Sequence, residues 1–219
     1  MAKSDPKISI LLPVFNAEKT LAAAIRSILF QKCANWELII LDDGSSDNSL
    51  QIARSFEDSR IRIISDGRNM KLPSRLNQGI ELSRGKYIAR MDADDISYPD
   101  RLDVQLCFLD ANSEIDLVGS RIIIFNDDGN VIGTYPYRQK HSDICSHPWK
   151  GFYFPHPTWM GKASWFKSNL YQIDANRMED QDILLRTYKK SQFECLPVFL
   201  LGYRQTRLSL KNILIGRFN

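Results

Sequence analysis

Three stretches of this chain concentrate side chains that can do chemistry: Pro13-Val14-Phe15-Asn16, Asp42-Asp43-Gly44-Ser45 and Asp92-Ala93-Asp94-Asp95. Each follows an apolar run, so each falls where a strand would end. The third is the sharpest. Carboxylates packed this closely repel one another unless a cation or hydrogen-bond donors offset their charge. Hard oxygen ligands of this kind suit Mg²⁺ or Mn²⁺, and such an ion is what lets a phosphate approach an acidic cluster. Taken alone, a D-x-D spacing fits a solvated acidic turn leading into a helix at Pro99 just as well. No glycine-rich cradle competes for phosphate: neither G-x-G-x-x-G nor G-x-x-x-x-G-K-[ST] occurs, so dinucleotide and P-loop readings lose their main support.

These clusters need elements to hold them. Residues 8–14 are an almost wholly apolar run, the pattern of a strand buried on both faces of a parallel sheet. Asn16 is placed to cap a helix whose Leu21, Ile25, Ile28 and Leu29 share a face. Residues 37–41 read as a second buried strand, with Ser46 capping a helix that carries Leu50, Ala53 and Phe56. Residues 61–64 read as a third strand. A helix opens at Pro73, runs through Leu76 and Ile80, and closes at Gly85, where a glycine can take the left-handed conformation. Residues 87–91 form a fourth strand. Such alternation implies βαβ units with right-handed crossovers and a parallel sheet, whose ligands bind outside the strand carboxyl ends. After residue 115 the texture changes. Residues 117–125 and 131–135 flank a hairpin-like turn at 126–130. Aromatics, prolines and all three histidines crowd residues 137–165, and 180–190 reads as one more helix.

Composition narrows the class. At 219 residues, 43% hydrophobic and 25% charged, the chain suits a soluble globular protein with one large domain. A net charge of +3 is too weak to argue for a nucleic-acid partner. No apolar run is long enough to span a bilayer, and Pro13 and Asn16 interrupt the stretch that would serve as a signal peptide. The scattered cysteines suggest neither a zinc knuckle nor a disulfide framework, so a reducing cytoplasm is expected.

From residue 8 to 120 the sequence closely resembles the family 2 glycosyltransferases, inverting enzymes with a GT-A fold. The matching stretches are Pro13-Val14-Phe15-Asn16-Ala17-Glu18, Leu41-Asp42-Asp43-Gly44-Ser45-Ser46-Asp47 and Leu76-Asn77-Gln78-Gly79-Ile80. Gly85-Lys86-Tyr87-Ile88-Ala89-Arg90-Met91-Asp92-Ala93-Asp94-Asp95 follows, with Pro99-Asp100-Arg101-Leu102 behind it. Downstream, His156-Pro157-Thr158 and Met178-Glu179-Asp180-Gln181-Asp182 through Arg186 resemble the family's acceptor-side segment and its Glu-Asp motif. The resemblance implies an α/β, GT-A-like, Rossmann-type and mainly parallel sheet flanked by helices, with a smaller acceptor-side region. Within a single domain, residues 1–115 would be the nucleotide-sugar-binding half and 116–205 the acceptor-side half. Residues 206–219 would be a basic amphipathic tail.

It also implies roles. Pro13, Phe15 and Asn16 would line the nucleotide pocket, with Phe15 against the base, Glu18 nearby and Asp43 accepting a hydrogen bond from uracil. Asp92 would lie near the ribose and sugar, and Asp94 would bind the metal. Asp180 matches the catalytic base, with Glu179 beside it, and His156 and Thr158 fall on the acceptor side. Plainer roles stand beside these. Pro13 and Phe15 could end a strand and pack on its helix, and Glu179 could cap its own helix. Asn77 reads as structural, and His141 and His147 as surface or core residues. Two departures matter. Lys71 stands where the family has a glycine, and could reach donor phosphates or simply alter its loop. No histidine follows Tyr203-Arg204, so the resemblance supplies no third protein ligand to a metal.

The implied reaction moves a sugar from a nucleotide-diphosphate sugar, with UDP the expected nucleotide, to a hydroxyl of a glycan or lipid-linked acceptor, assisted by Mg²⁺ or Mn²⁺. Synthesis of bacterial surface polysaccharide is the expected setting. A sugar-nucleotide nucleotidyltransferase would instead carry a glycine-rich, Arg-containing loop after its first strand, which residues 13–16 are not. A non-catalytic sugar-nucleotide-binding module would have no need of both Asp94 and Asp180. Arg204, Arg207, Lys211 and Arg217 lie among Leu208, Leu210, Ile213, Leu214 and Ile215. As a helix this tail would either lie on anionic lipid or pack on the domain. The expected location is cytoplasmic, with peripheral contact at the membrane face.

Overall fold

The computed structural model describes residues 5–205. Its first half alternates strands β1 (Ile8–Val14), β2 (Trp36–Asp42), β3 (Ile61–Ser65) and β4 (Tyr87–Arg90) with helices α1 (Leu21–Leu29), α2 (Ser49–Arg54) and α3 (Lys71–Leu82). The four strands are parallel and lie in the order β3-β2-β1-β4. Side chains alternate across a strand, and β1 shows the consequence. Ile8, Ile10, Leu12 and Val14 enter one core with Leu21, Ala24, Ile25 and Ile28 of α1. Leu11 enters the other with Leu76 and Ile80 of α3.

The second half contains β5 (Ile96–Ser97), α4 (Arg101–Ala111), β6 (Leu117–Phe125), β7 (Val131–Thr134), α5 (His141–Ile144), β8 (Met160–Lys162), α6 (Ala163–Ser168), α7 (Glu179–Thr187) and β9 (Phe193–Arg204). β8 runs antiparallel to both β4 and β6, and β9 runs parallel to β6. One sheet thereby continues through both halves in the order β3-β2-β1-β4-β8-β6-β9-β5, with β7 hairpinned onto β6. It is parallel on the first-half side and mixed beyond β4.

Four of the expected helix ends are corrected. Thr20, not Asn16, precedes α1; Asn16 instead takes φ of 50° and its side-chain oxygen accepts the Ser46 N–H at 2.8 Å. Asn48 rather than Ser46 precedes α2, because the Asp47 carboxylate already accepts the Ser49 N–H at 3.0 Å. α3 opens at Lys71, which puts Pro73 inside the first turn where its missing N–H costs nothing. It ends at Ser83, and Gly85 is not left-handed. A Cβ there would come within 2.6 Å of the Ser9 nitrogen and 2.8 Å of the Ile8 carbonyl carbon, so close approach to β1 demands the glycine. Among the described residues no helix is long and apolar enough to cross a membrane. The basic tail proposed from residue 206 onward lies outside the described residues.

Candidate active site

Two cavities meet at the carboxyl ends of β1 and β4. One, of about 800 Å³, is lined by Pro13, Phe15, Asn16, Glu18 and Asp47. The other, of about 510 Å³, is lined by Arg90, Tyr135, His156, Glu179, Asp180 and Tyr203. Asp92, Asp94 and Arg204 line both and form their common wall. The topology explains the meeting. β4 delivers the acidic turn from one side, and β9 brings Arg204 back to it from the far half of the sheet.

The acidic turn holds three carboxylates in three states. Asp92 is paired on both oxygens with the buried Arg90 guanidinium, at 2.6 and 2.5 Å. Arg90 is held in turn by Arg101, which donates to the Arg90 carbonyl at 2.6 Å. Asp94 faces the common wall, where burial and then the charge of Asp92 push its carboxyl up to about 6. Asp95 is fully buried; its Oδ1 accepts the Arg204 N–H at 2.9 Å, while Oδ2 has no partner. Burial first, then Asp92 and Asp94, hold it well above the usual carboxylate range. Arg204 also donates from Nε to the Asp94 carbonyl at 3.0 Å, so β9 stitches the turn in place. The three carboxylates can bring oxygens within 4.8 Å of one another. A hard divalent cation fits this set, because its charge would offset the one that burial disfavours on Asp94, and Asp94 is not committed to an arginine as Asp92 is.

The opposite side of the second cavity is the start of α7, whose first turn carries Glu179, Asp180 and Asp182, a placement favoured by the helix dipole. Asp180 Oδ2 accepts the Gln181 side-chain N–H at 3.1 Å. Glu179 is buried, its Oε2 has no partner, and burial followed by the charge of Asp180 raises its pKa. His156 is also buried, 2.9 Å from the Tyr171 hydroxyl. Burial, reinforced by Arg90, holds its imidazole well below the ordinary value, so it is neutral. Thr158 does not line the cavity. Its hydroxyl donates to the Pro155 carbonyl at 2.7 Å and accepts the Ser120 N–H at 3.1 Å, which fixes the turn that presents His156.

In the first cavity Phe15 is 53% exposed at the rim, Asn16 is tied to Ser46, and Glu18 accepts the Asn48 backbone N–H at 3.1 Å. Asp43 and Lys71 line neither cavity. The Asp43 carboxylate accepts the backbone N–H groups of Met70 at 2.6 Å and Lys71 at 3.1 Å, and the Nε–H of buried Arg75 at 3.0 Å. Its visible work is to hold the loop before α3, and a base would have to share it with those donors. Lys71 sits at φ of 70°, the left-handed region that favours glycine. Asn77 is structural: it exchanges hydrogen bonds of 2.8 and 2.9 Å with the backbone of Tyr171.

Sequence reasoning passed over Arg90, Tyr171 and Arg204 as site residues. Arg90 had a local signal, since residues two apart in extended chain share a face and Arg90 could be expected to reach Asp92. Tyr171 and Arg204 had none, because their partners lie far away in the chain.

Fold and site together define a GT-A-like glycosyltransferase. The family model described as "Glycosyl transferase family 2" matches residues 9–184. The putative glycosyltransferase EpsE of Bacillus subtilis is 36% identical over 197 residues, covering 85% of this chain and 68% of that protein. The Escherichia coli UDP-Glc:alpha-D-GlcNAc-diphosphoundecaprenol beta-1,3-glucosyltransferase WfgD is 35% identical over 136 residues, covering 62% of this chain and 53% of that protein. Among solved structures, residues 1–349 of Staphylococcus aureus TarS in complex with UDP-GlcNAc superpose with a TM-score of 0.74 at 16% identity, covering 93% of this chain. This chain spans 60% of that structure. The chain belongs to glycosyl transferase family 2.

Proposed function

We propose that this chain transfers a sugar, with inversion, from a UDP-sugar to a hydroxyl of a glycan or lipid-linked acceptor, with a divalent cation on Asp94 and Asp180 as the base. The observation that carries this reading is the common wall: Asp92 and Asp94 face both cavities, and Asp180 faces only the second. A donor in the first cavity would present its sugar across that wall to an acceptor in the second. The exposed ring of Phe15 offers a base a stacking surface beside Pro13, Asn16 and Glu18. The complexes of TarS with UDP-GlcNAc and with UDP support a UDP donor. WfgD, named for a diphosphoundecaprenol-linked sugar acceptor, supports an acceptor of that class and contact with the cytoplasmic membrane face.

A bound Mg²⁺ or Mn²⁺ would supply Lewis-acid stabilisation to the charge that develops on the leaving diphosphate. The protein does the rest. Arg90 neutralises Asp92 and fixes it, so that its free edge can orient donor hydroxyls. Asp180 takes the proton of the acceptor hydroxyl as that oxygen bonds to the anomeric carbon. The bond from this carbon to the diphosphate oxygen breaks, and its electron pair leaves with the nucleotide. One displacement inverts the configuration, and no second nucleophile is needed.

The test is metal-dependent release of nucleoside diphosphate from a panel of sugar nucleotides, read beside donor binding by calorimetry. Asp180→Asn should keep donor affinity and lose transfer by roughly 10²–10⁴-fold, the usual contribution of a general base. Asp94→Ala should lose Mn²⁺-dependent donor binding. Equal loss of affinity and rate in Asp180→Asn would make Asp180 a binding residue and overturn its assignment. Unchanged Mn²⁺-dependent binding in Asp94→Ala would overturn the metal site.

A further inference from the structure

Beside the Asp180 cavity lies a groove of about 940 Å³ between the 148–152 turn and the start of α7. Phe152 and Gln181 line both spaces, so the two adjoin. Gln181 joins them physically. Its Oε1 accepts the Phe152 N–H at 2.8 Å while its Nε2 donates to Asp180 Oδ2 at 3.1 Å. The seat is close: Gly151 takes φ of 86°, and a Cβ there would come within 3.2 Å of Gln181 Oε1. The turn therefore holds a fixed position relative to the proposed base.

On this turn stands Trp149, 76% exposed, whereas Trp36, Trp159 and Trp165 are at most 6% exposed. Its indole meets the His147 ring edge-on, with centroids 5.3 Å apart, and it lines the groove. A large aromatic surface left in water beside a catalytic pocket is a binding surface in waiting. Its neighbours indicate for what. Asp174, Asn176 and Asp182 also line the groove. A pyranose satisfies both kinds of wall, with its C–H face on the indole and its hydroxyls donating to carboxylate and amide oxygens. A polyprenyl chain would suit Met178 and Leu185 of the same groove but would desolvate Asp174 and Asn176, and an anionic membrane surface would find one lysine, Lys150, against two carboxylates.

We infer that this groove is a subsite for the sugar unit next to the one that accepts the transfer, with Trp149 as its stacking platform. The acceptor is then an oligosaccharide or the glycan end of a longer conjugate. This rests on the proposed reading only in taking the Asp180 cavity as the place of the accepting hydroxyl.

Trp149 is the exposed tryptophan, so acrylamide quenching of the intrinsic fluorescence reports on it directly. Maltotriose, cellotriose and chitotriose serve as probes, with Trp149→Phe as the control that removes the quenchable component. Stacking reads a C–H face that pyranosides share, so the panel covers the class. The expected result is loss of the quenchable component with at least one trisaccharide at millimolar concentration, and weaker protection by the matching monosaccharide. Protection by phosphatidylglycerol vesicles but by no sugar would overturn the inference in favour of a membrane surface. Protection by neither would overturn it outright. Metal-dependent nucleotide release without sugar protection would sink the groove alone. Sugar protection without nucleotide release would sink the transferase reading alone.

Discussion

Asp94 is ionised at a cost. Burial, followed by the charge of Asp92, raises its carboxyl from 3.8 to about 6. A raised carboxyl pKa means that the folded chain binds this proton more tightly than the unfolded chain does. Its ionisation therefore costs no stability below the unfolded value of 3.8, and the full penalty is present above about 6. A shift of about two units is worth at most roughly 3 kcal/mol. Asp94→Asn should accordingly melt at a higher temperature than the parent at about pH 8 without metal, and the gain should fade toward about pH 4. Mn²⁺ should raise the melting temperature of the parent and not of the variant. Thermal melts at both pH values check this, and a variant that melts no higher at the upper pH would refute it.

At the scale of elements, the sheet end opposite the site depends on one carboxylate. Glu37 of β2 is buried; its Oε1 accepts from the Ser9 hydroxyl at 2.7 Å and the Arg84 N–H at 2.9 Å. Its Oε2 accepts from the guanidinium groups of Arg84 at 2.7 Å and Arg62 at 2.9 Å. Ser9 Oγ also accepts the Gly85 N–H at 2.8 Å, so this cluster locks the α3–β4 turn against β1. Burial pushes Glu37 up, but the bonds from Arg84, Ser9 and Arg62 outweigh it and bring its pKa down to about 2 from 4.5. For a depressed carboxylate the stability is present above 4.5 and is lost as the pH falls toward 2. Glu37→Gln should lower the urea unfolding free energy at neutral pH by on the order of 2–3 kcal/mol. The gap between variant and parent should narrow as acid protonates the parent. A gap that stays constant with pH would show that the charge contributes nothing.

Across the whole molecule, the two halves suggested by the sequence share one sheet. β4 pairs with β8, and β8 with β6, so the edge of the first half is covered by strands from the second. Leu117, Trp159 and Ile183 sit in the same core as Leu11 and Ile88. Residues 1–115 alone would uncover the β4 edge and one side of that core. The whole chain should therefore unfold in one transition, coincident by far- and near-UV circular dichroism. A fragment of residues 1–115 should show no cooperative melt. Two separated transitions, or a fragment that melts cooperatively, would make the halves independent domains.

What the sequence determined by itself was whatever is written in neighbouring residues. The apolar runs at 8–14 and 37–41 carry the pattern of strands buried on both faces, and they fall in β1 and β2. The acidic turn and the Glu179-Asp180 pair were legible because contiguous charges are visible without a fold. Tertiary structure decided which of those charges are satisfied. Asp92 is neutralised by a neighbour two residues away, but Asp95 is met by Arg204, 109 residues on. Likewise Gly85 reads locally as a helix stop, yet the backbone of β1 is what requires it. Asp43 reads locally as a ligand alone, whereas the fold also gives its carboxylate Arg75 and the loop before α3 as donors. Periodicity records which side of an element is buried. It carries no record of which distant segment supplies the hydrogen-bond partner there, because that depends on how the sheet brings remote strands together.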